Sequence, residues 1–365
     1  MRLSFPSELY EIRDGFQRMF VAEAVPERAR AVAAGEVGWD VELWRKLGEL
    51  GWLGVCVEER FGGMAQDPLV QCLLAEVFGS RLAAIPFASH VLGWADAIGI
   101  VGDATLSEEF LPGAVAGEII GGIVPAAAWT TLEIKGNQAD GGIAALTDGA
   151  ALTHVLTVQG EGSATQVILL DVARSRRERM DSLDRINQAW SLQFKDAPAR
   201  IVAEGASAAG LWERIVARHA IYLSFVQIGG AVAALEAACA HVNQRYAFGR
   251  PLGSFQGIKH ALADALAAIE IGRSNAWFAA ASLRERGDAL TEAAAAARVS
   301  ATAAYRQAAR AYVHYLGGIG VTAESDSHLF YRRAQALGTV IGSPSVWREK
   351  LIAARLRDRA IGATA

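Results

Sequence analysis

The sequence predicts a mainly α-helical protein with one small β domain near its middle. Residues 1–118 and 206–365 place apolar side chains three and four positions apart, which is the repeat of an amphipathic helix. Residues 119–205 contain short β-rich runs separated by glycine, aspartate and asparagine turns, as antiparallel strands do. We therefore expect an N-terminal helical domain over 1–118, a middle antiparallel β domain over 119–205 and a C-terminal bundle over 206–365.

The N-terminal domain is expected to contain five helices. In one of them Trp39, Leu43 and Leu47 are spaced by four residues, which places them on one helical face. Gly62 and Gly63 mark a turn after that helix. The apolar residues of this domain are interpreted as core. The predicted helices cover residues 9–30, 39–50, 69–78, 88–100 and 107–116.

The middle domain is expected to hold five strands, and the C-terminal domain four helices. Because the links between these helices are short, they predict an up-and-down bundle. The predicted strands cover residues 119–124, 151–158, 166–171, 190–194 and 200–202. The predicted helices of the bundle cover residues 207–244, 255–287, 289–316 and 345–359.

The first bundle helix contains the most apolar stretch of the chain. Between residues 220 and 242 Glu236 is the only formal charge, and the stretch approaches the length of a membrane span. Gln227 and His241 interrupt it, as does a pair of glycines. A helix that is apolar on all sides is also what the centre of a bundle requires. We expect a buried helix and no membrane association.

Composition excludes several classes of function. The net charge of −4 argues against a nucleic-acid footprint. The three cysteines are isolated, so they predict neither a metal site nor a disulfide framework. Glu8 and Glu11 lie near the start and no apolar signal core is present, so we expect a cytoplasmic protein. The apolar content of 52% indicates large buried interfaces as well as cores.

The stretch from residue 244 to residue 256 combines helix breakers with unusual side chains. Gly249 and Pro251 interrupt the helix between two long helical patterns. Arg245 is a planar donor suited to phosphate, and Phe248 and Phe255 add large apolar groups to the turn. A rigid turn with an arginine and two aromatic rings can hold a nucleotide. The alternative is that the phenylalanines plug the end of the bundle.

Three motifs together resemble the acyl-CoA dehydrogenase family. Within the turn, residues 245–256 read R-x-x-F-G-x-x-L-x-x-F-Q. Residues 316–324 read L-G-G-x-G-x-x-x-E, and residues 58–63 read E-E-x-x-G-G. They occur in the family's order and cover nearly the whole chain. The resemblance implies an FAD-dependent enzyme that oxidises an acyl-CoA thioester to the 2,3-enoyl form, on a fold of two helical domains around a β domain.

The resemblance also assigns the contacts to FAD. It implies that Arg245, Phe248 and Gln256 reach across a subunit interface to the FAD of a neighbouring subunit. Gly317 and Gly318 would meet the adenosine part of that FAD. The residues that cradle a subunit's own flavin ring in this family are mostly absent, with Thr147 remaining from the family's W-I-S/T strand.

The catalytic base of the family is also missing. Its glutamate stands at one of two positions, which correspond here to Ile341 and His219. Isoleucine cannot accept a proton. A lone histidine in the early part of a helix is more often structural, so the chain is expected to have no catalytic residue of its own.

The leading hypothesis is a partner subunit without the base, in a dimer or tetramer with a homologous subunit that carries the glutamate. It resembles the partner chains of dehydrogenases that act on steroid side-chain CoA thioesters. Acyl-CoA is the expected substrate and an electron-transfer flavoprotein or similar protein the expected acceptor. The alternatives are a homo-oligomeric dehydrogenase with another base, a flavin-dependent monooxygenase that uses His219, and a flavin-free paralogue.

Overall fold

The structure is a computed structural model of the chain. It describes the backbone of residues 6–125 and 129–362, and the side chains of these residues as far as Arg357. The described chain is mainly helical with a mixed sheet in its middle, so the predicted fold class is confirmed.

Turns, loops and short 3₁₀ helices connect the helices and strands. In chain order the helices are α1 Ser7–Glu23, α2 Pro26–Ala34, α3 Val41–Glu49, α4 Pro68–Gly79, α5 Phe87–Ser89, α6 Asp96–Val101, α7 Ala104–Ala116, α8 Ala206–Gln244, α9 Gln256–Ala281, α10 Asp288–Leu316, α11 Ser327–Leu337 and α12 Pro344–Gly362. The strands are β1 Gly121–Ile123, β2 Thr130–Lys135, β3 Gln138–Thr147, β4 His154–Gln159, β5 Gln166–Asp171, β6 Arg176–Arg179, β7 Ala189–Glu204, β8 Tyr246–Ala247 and β9 Arg250–Pro251.

The chain divides into two compact units. The bundle unit consists of Met1–Val21, Cys72–Leu82 and Ala220–Ala365, and the sheet unit consists of Ala22–Gln71 and Ala83–His219. This division cuts α8 and assigns most of α1 and most of α4 to the bundle unit. It therefore does not test the predicted boundaries at residues 118 and 205, which stay predictions.

Several predicted helices have different limits in the structure. The predicted helix over 9–30 is two helices, because Pro26 starts α2 and forces Val25 into an extended conformation with φ −78° and ψ 140°. The predicted helix over 88–100 contains the π-helical stretch His90–Ala95 between α5 and α6. α11 is an additional helix of the bundle unit that the four-helix prediction did not include.

The sheet is larger than the sequence predicted. Its strands follow the order β1-β4-β5-β7-β3-β2, with β6 paired to β7. The predicted runs at 190–194 and 200–202 are parts of β7, whose first half pairs with β3 and β6 and whose second half pairs with β5. All of these pairs are antiparallel except β1 with β4.

The hairpin of β2 and β3 was missed, although its turn had a sequence signal. Lys135 pairs with Gln138, so Gly136 and Asn137 form a two-residue loop. Gly136 has a φ of +63°, which suits the primed turns of such hairpins. Because β2 is exposed at alternate residues, its pattern carries too few apolar positions to stand out.

α8 runs through the core as expected. It is long and apolar enough to span a membrane by composition, with a mean hydropathy of 1.6 in its most apolar window, but 67% of that window is buried inside the protein. Gly79 of α4 and Gly229 of α8 let the two backbones touch. A Cβ at either glycine would lie 1.9 Å from a carbonyl oxygen of the other helix.

The antiparallel pair of α9 and α10 positions the site. Gly272 of α9 lies against Ala301 of α10, and the Asn275 side chain donates a 3.1 Å hydrogen bond to Ser300. Gln256 stands sixteen residues before Gly272, and Gly317 stands sixteen residues after Ala301. Since both helices rise equally per residue, Gln256 and Gly317 lie at the same end of the pair.

Candidate functional site

The turn after α8 is a tight β-hairpin, which we call the elbow hairpin. Tyr246–Ala247 pairs with Arg250–Pro251, so Phe248 and Gly249 form the loop. Their φ values of +52° and +78° give the type I′ pattern, which fits the twist of two-residue hairpins. Glycine adopts such angles freely. For a residue with a side chain, as at position 248, the left-handed region costs about 1–2 kcal/mol.

Phe248 is presented to solvent rather than packed. Its side chain is 95% exposed, and its ring meets Phe255 edge-on at a centroid distance of 6.3 Å. It therefore does not plug the end of the bundle, which excludes that alternative for this residue. A strained, exposed aromatic at the tip of a hairpin is available for contact with another molecule.

Arg245 and Gln256 frame the hairpin with exposed polar side chains. The Arg245 backbone N–H donates to the His241 carbonyl at 2.9 Å, and the Arg245 carbonyl accepts from the Leu252 N–H at 2.8 Å. The backbone of Arg245 is thus fixed, while its guanidinium forms no hydrogen bond or ion pair within the described chain. Gln256 begins α9, whose N-cap residue supplies no side-chain hydrogen bond.

The glycine turn after α10 exposes its backbone. Gly317 has a φ of +65° and, like Gly318, has no atom within 4 Å of the position of a Cβ. Gly320 is packed instead: a Cβ there would lie 2.5 Å from a carbonyl oxygen, and the Gly320 carbonyl accepts a 2.7 Å hydrogen bond from Ser327. The turn is therefore anchored at Gly320 and open at Gly317 and Gly318, where a ligand can approach the backbone closely.

The structure brings two of the three sequence motifs to one end of the bundle unit. The elbow hairpin leads into the start of α9, and the glycine turn follows the end of α10. These are the two helix ends that the antiparallel packing places side by side. Exposed apolar side chains accompany both motifs, since Tyr246 is 63% exposed, Ile319 57% and Val321 70%.

The first base position contains no proton acceptor. Ile341 is 4% exposed, and its carbonyl accepts a 3.1 Å hydrogen bond from the buried Trp347 indole. The side chain at this predicted base position is thus an apolar group in a dry environment.

Two arginines hold the helix that precedes Ile341. Arg298 donates to the carbonyl of Leu337 and to the Gln227 side chain, and Arg306 donates to the carbonyl of Gln335 at 3.4 Å. Cations at the C-terminal end of a helix are favourable because of its dipole. Burial, and then the neighbouring Arg306, lower the pKa of Arg298 to about 9.

The second base position is filled by a packed histidine of the sheet unit. His219 is 5% exposed and lies against Gly93 of the π-helical stretch, where a Cβ would be 3.2 Å from its ring. The preceding Arg218 forms a buried two-pronged ion pair with Asp96 at 2.7 and 2.9 Å. No carboxylate replaces the missing glutamate at position 219 either.

Another histidine of the sheet unit was not singled out from the sequence. His90 is fully buried, donates from Nε2 to the Ala114 carbonyl at 3.1 Å and accepts at Nδ1 from the Gly121 N–H at 3.0 Å. Its ring lies between Trp44 and Trp94. Burial lowers the pKa of His90 to about 4. The ring is therefore neutral and joins α7 and β1 to the π-helical stretch.

Comparison with protein families decides the assignment that the motifs suggested. Residues 6–118 match the model of the acyl-CoA dehydrogenase N-terminal domain, and residues 213–356 match that of the C-terminal domain. The chain belongs to the acyl-CoA dehydrogenase family. Members of this family are FAD-dependent oxidoreductases. The resemblance carried by the three motifs is thereby confirmed.

Individual relatives cover nearly the whole chain. The acyl-CoA dehydrogenase IpdE2 of Mycolicibacterium smegmatis is 27% identical over 341 residues, which is 93% of this chain and 95% of that protein. A variant of the steroid ACAD Tcur3481-Tcur3483 is 27% identical, covers 97% of this chain and 99% of its own, and has a TM-score of 0.87. The ChsE4-ChsE5 complex from Mycobacterium tuberculosis, at 21% identity, shares the fold with a TM-score of 0.84 over 96% of this chain and 98% of its own.

The residues of this family member fit one part of FAD better than another. The unengaged Arg245 guanidinium and the open backbone at Gly317 suit phosphate and adenosine groups. On the sheet, Thr147 ends β3 opposite Ala189, and no tryptophan precedes it in that strand. The exposed groups at Arg245 and Gly317 thus suit phosphate and adenosine, and β3 has no tryptophan where the resemblance implies the ring-stacking residue.

Proposed function

We propose that the chain is the partner subunit, without a catalytic base, of a heteromeric FAD-dependent acyl-CoA dehydrogenase. Its elbow hairpin and glycine turn contact an FAD that is held mainly by a homologous subunit. That subunit supplies the glutamate that removes the α-proton of the acyl-CoA. Bound FAD would supply the acceptor for the hydride of the β-carbon, and an electron-transfer flavoprotein or a similar protein would take up the electrons.

The residue at the base position carries this proposal. Removal of the α-proton needs a positioned acceptor, which contributes typically ~10²- to 10⁴-fold to such a rate. The position belongs to Ile341, which is 4% exposed and apolar. The alternative position belongs to His219, which is packed against Gly93. A chain of this family without a carboxylate at either place depends on another subunit for the proton transfer.

The surface of the bundle unit supports an obligatory partner. Phe248, Ile319 and Val321 are all more than half exposed. They lie at one end of the α9–α10 pair, beside the exposed Arg245. Clustered apolar side chains on a soluble surface commonly mark interfaces with other proteins. We therefore assign this end of the bundle to the contact with the glutamate-bearing subunit.

The substrate class is proposed from one relative. The steroid ACAD Tcur3481-Tcur3483 is 27% identical and matches 97% of this chain with a TM-score of 0.87. We propose that the acyl group here is likewise bulky and steroid-like, such as a steroid side chain bound to CoA.

Co-purification with a glutamate-bearing paralogue from the same genome tests the proposal. The chain alone is expected to contain no stoichiometric FAD and to form no enoyl-CoA, whereas the complex of the two chains should do both. Steroid side-chain CoA and short straight-chain CoA esters are compared as substrates. Stoichiometric FAD and robust turnover by a homo-oligomer of this chain would contradict the proposal.

A further inference from the structure

The bundle unit contains a cavity between four of its helices, away from the elbow hairpin. Its volume is about 180 Å³, and α1, α4, α8 and α9 each contribute side chains to its wall. Two of these, Arg273 and Trp277 of α9, follow Gln256 by seventeen and twenty-one residues, which corresponds to roughly 26–32 Å along the helix. The cavity therefore belongs to neither of the motifs at the other end of the α9–α10 pair.

Apolar and aromatic side chains form the larger part of the cavity wall. Leu73 and Val77 come from α4 and Val232 from α8. The rings of Tyr10 and Trp277 have their centroids 6.5 Å apart and are tilted by 30°. An engineered apolar cavity of about 150 Å³ in another protein binds benzene. This cavity therefore has the volume and the wall of a site for a single six-membered ring with one substituent.

Glu76 and Arg273 place an incompletely satisfied ion pair in the same wall. Arg273 donates from Nη1 to Oε1 of Glu76, and its Nε lies 3.4 Å from the Glu270 carboxylate. Among the described residues, Oε2 of Glu76 accepts no hydrogen bond and Nη2 of Arg273 donates none. Burial raises the pKa of Glu76, and the charge of Arg273 opposes this shift only in part. A carboxylate in that environment favours a ligand that supplies a hydrogen-bond donor.

The charges around the cavity select a neutral ligand. An anion would be repelled by the Glu76 carboxylate. A cation would meet Arg273 and also Arg13, whose guanidinium carbon lies 4.9 Å from the centroid of the Tyr10 ring and already occupies that aromatic face. A hydroxyl group suits both unused atoms of the ion pair, since it donates one hydrogen bond and accepts another.

We infer that this cavity binds a six-membered ring that carries a hydroxyl group. The hydroxyl donates to Oε2 of Glu76 and accepts from Nη2 of Arg273, while the ring lies against Leu73 and Trp277. No bond is made or broken, so this is a binding site and not a second catalytic centre. The inference does not depend on the proposed function, because none of these residues belongs to the elbow hairpin or the glycine turn.

Calorimetric titration of the full chain with phenol tests the inference. Phenol should bind with a Kd of about 0.1–1 mM, which is ordinary for so small a ligand. Toluene fits the same volume but has no hydroxyl, and benzoate carries a negative charge. Each of these should bind about tenfold more weakly than phenol, because the hydrogen bonds to the ion pair are lost or opposed by repulsion.

Two variants with matched controls locate the bound phenol. Val232→Phe fills the cavity and should abolish binding, whereas Val41→Phe adds the same ring at an exposed valine of α3 and should bind phenol as the wild type does. Glu76→Gln removes the charge of the acceptor and should weaken binding about tenfold. Its control is Glu292→Gln, since Glu292 also pairs with an arginine, Arg355, at 2.7 Å but lies outside the cavity.

The inference is refuted if the wild-type chain binds phenol no more tightly than toluene or benzoate. Equal affinities for phenol in Val232→Phe and Val41→Phe, or in Glu76→Gln and Glu292→Gln, would contradict it as well. Melting temperatures identify any variant that does not fold. In that case the comparison of the three ligands on the wild-type chain decides, and none of these outcomes bears on the flavin content of the two-subunit complex.

Discussion

The contact between α4 and α8 predicts that a glycine-to-alanine substitution changes the stability of the protein very differently at two positions of α8. A Cβ at Gly229 would lie 1.9 Å from the Glu76 carbonyl oxygen, so the backbones must separate by about 1 Å to reach an allowed contact. Gly79 makes the reciprocal contact with Val226, which leaves no side chain that could move aside. Gly229→Ala should therefore lower the free energy of unfolding by about 3 kcal/mol, the upper end of the range for overpacking.

Gly210→Ala is the control, because Gly210 lies on the exposed part of α8 and a Cβ there meets nothing within 4 Å. Alanine favours the helix over glycine, so this variant should gain about 0.8–1.0 kcal/mol. Urea unfolding of both variants and the wild type gives the two differences in unfolding free energy. The m-values show whether all three proteins expose the same surface on unfolding. Equal stability of Gly229→Ala and Gly210→Ala would refute the close packing of α4 on α8.

Three further predictions follow from single residues. The pKa of His90 falls from 6.5 in the unfolded chain to about 4 in the folded protein. The neutral ring therefore stabilises the fold fully above pH 6.5, and this stabilisation is lost as pH falls towards 4. The unfolding free energy should drop between pH 7 and pH 4.5 by up to about 3 kcal/mol more in the wild type than in His90→Gln. Phe248→Asn supplies the Asn-Gly pair that a type I′ turn prefers. In urea unfolding, the isolated chain should therefore gain about 1 kcal/mol of unfolding free energy, while the two-subunit complex should lose flavin. A destabilised chain would contradict the strain at position 248. Ile341→Glu puts a carboxyl group at a buried position, which raises the pKa of that group. The variant should therefore lose more melting temperature relative to the wild type at pH 8, where the group is charged, than at pH 5. Equal losses at both pH values would show that position 341 is open to water.

Much of the fold could be predicted because it depends on local patterns. The continuous apolar run in α8 predicted a buried helix, and the helix breakers at Gly249 and Pro251 predicted a turn. Pro26 also carried a readable signal for the start of α2, which the longer periodic pattern over 9–30 concealed. β2 was missed since its alternate residues are exposed, which leaves few apolar positions in its pattern. In β3 the pair Gly141 and Gly142 interrupts the apolar residues and weakens the strand signal.

The candidate site was only partly accessible from the sequence. The motifs located Arg245 and Gly317, but their position at one end of the bundle follows from the packing of α9 on α10. Arg250 stacks on Phe255, and Arg298 caps the end of α11. In each case the contacting groups are separated in the motif or in the chain. Such contacts have no fixed spacing, so a single sequence does not reveal them. The roles assigned to Arg245, Phe248, Gln256, Gly317 and Gly318 stay predictions.

Flavin reduction in a complex whose partner subunit lacks its glutamate tests the central claim most directly. The complex is mixed anaerobically with acyl-CoA, and bleaching of the flavin is followed in the wild type and in a variant with glutamine at the partner's base position. Because Ile341 and His219 provide no carboxylate, reduction of all the flavin should slow by ~10²- to 10⁴-fold. Rapid reduction of half of the flavin in the variant would show that this chain contributes a base of its own, and would contradict the account.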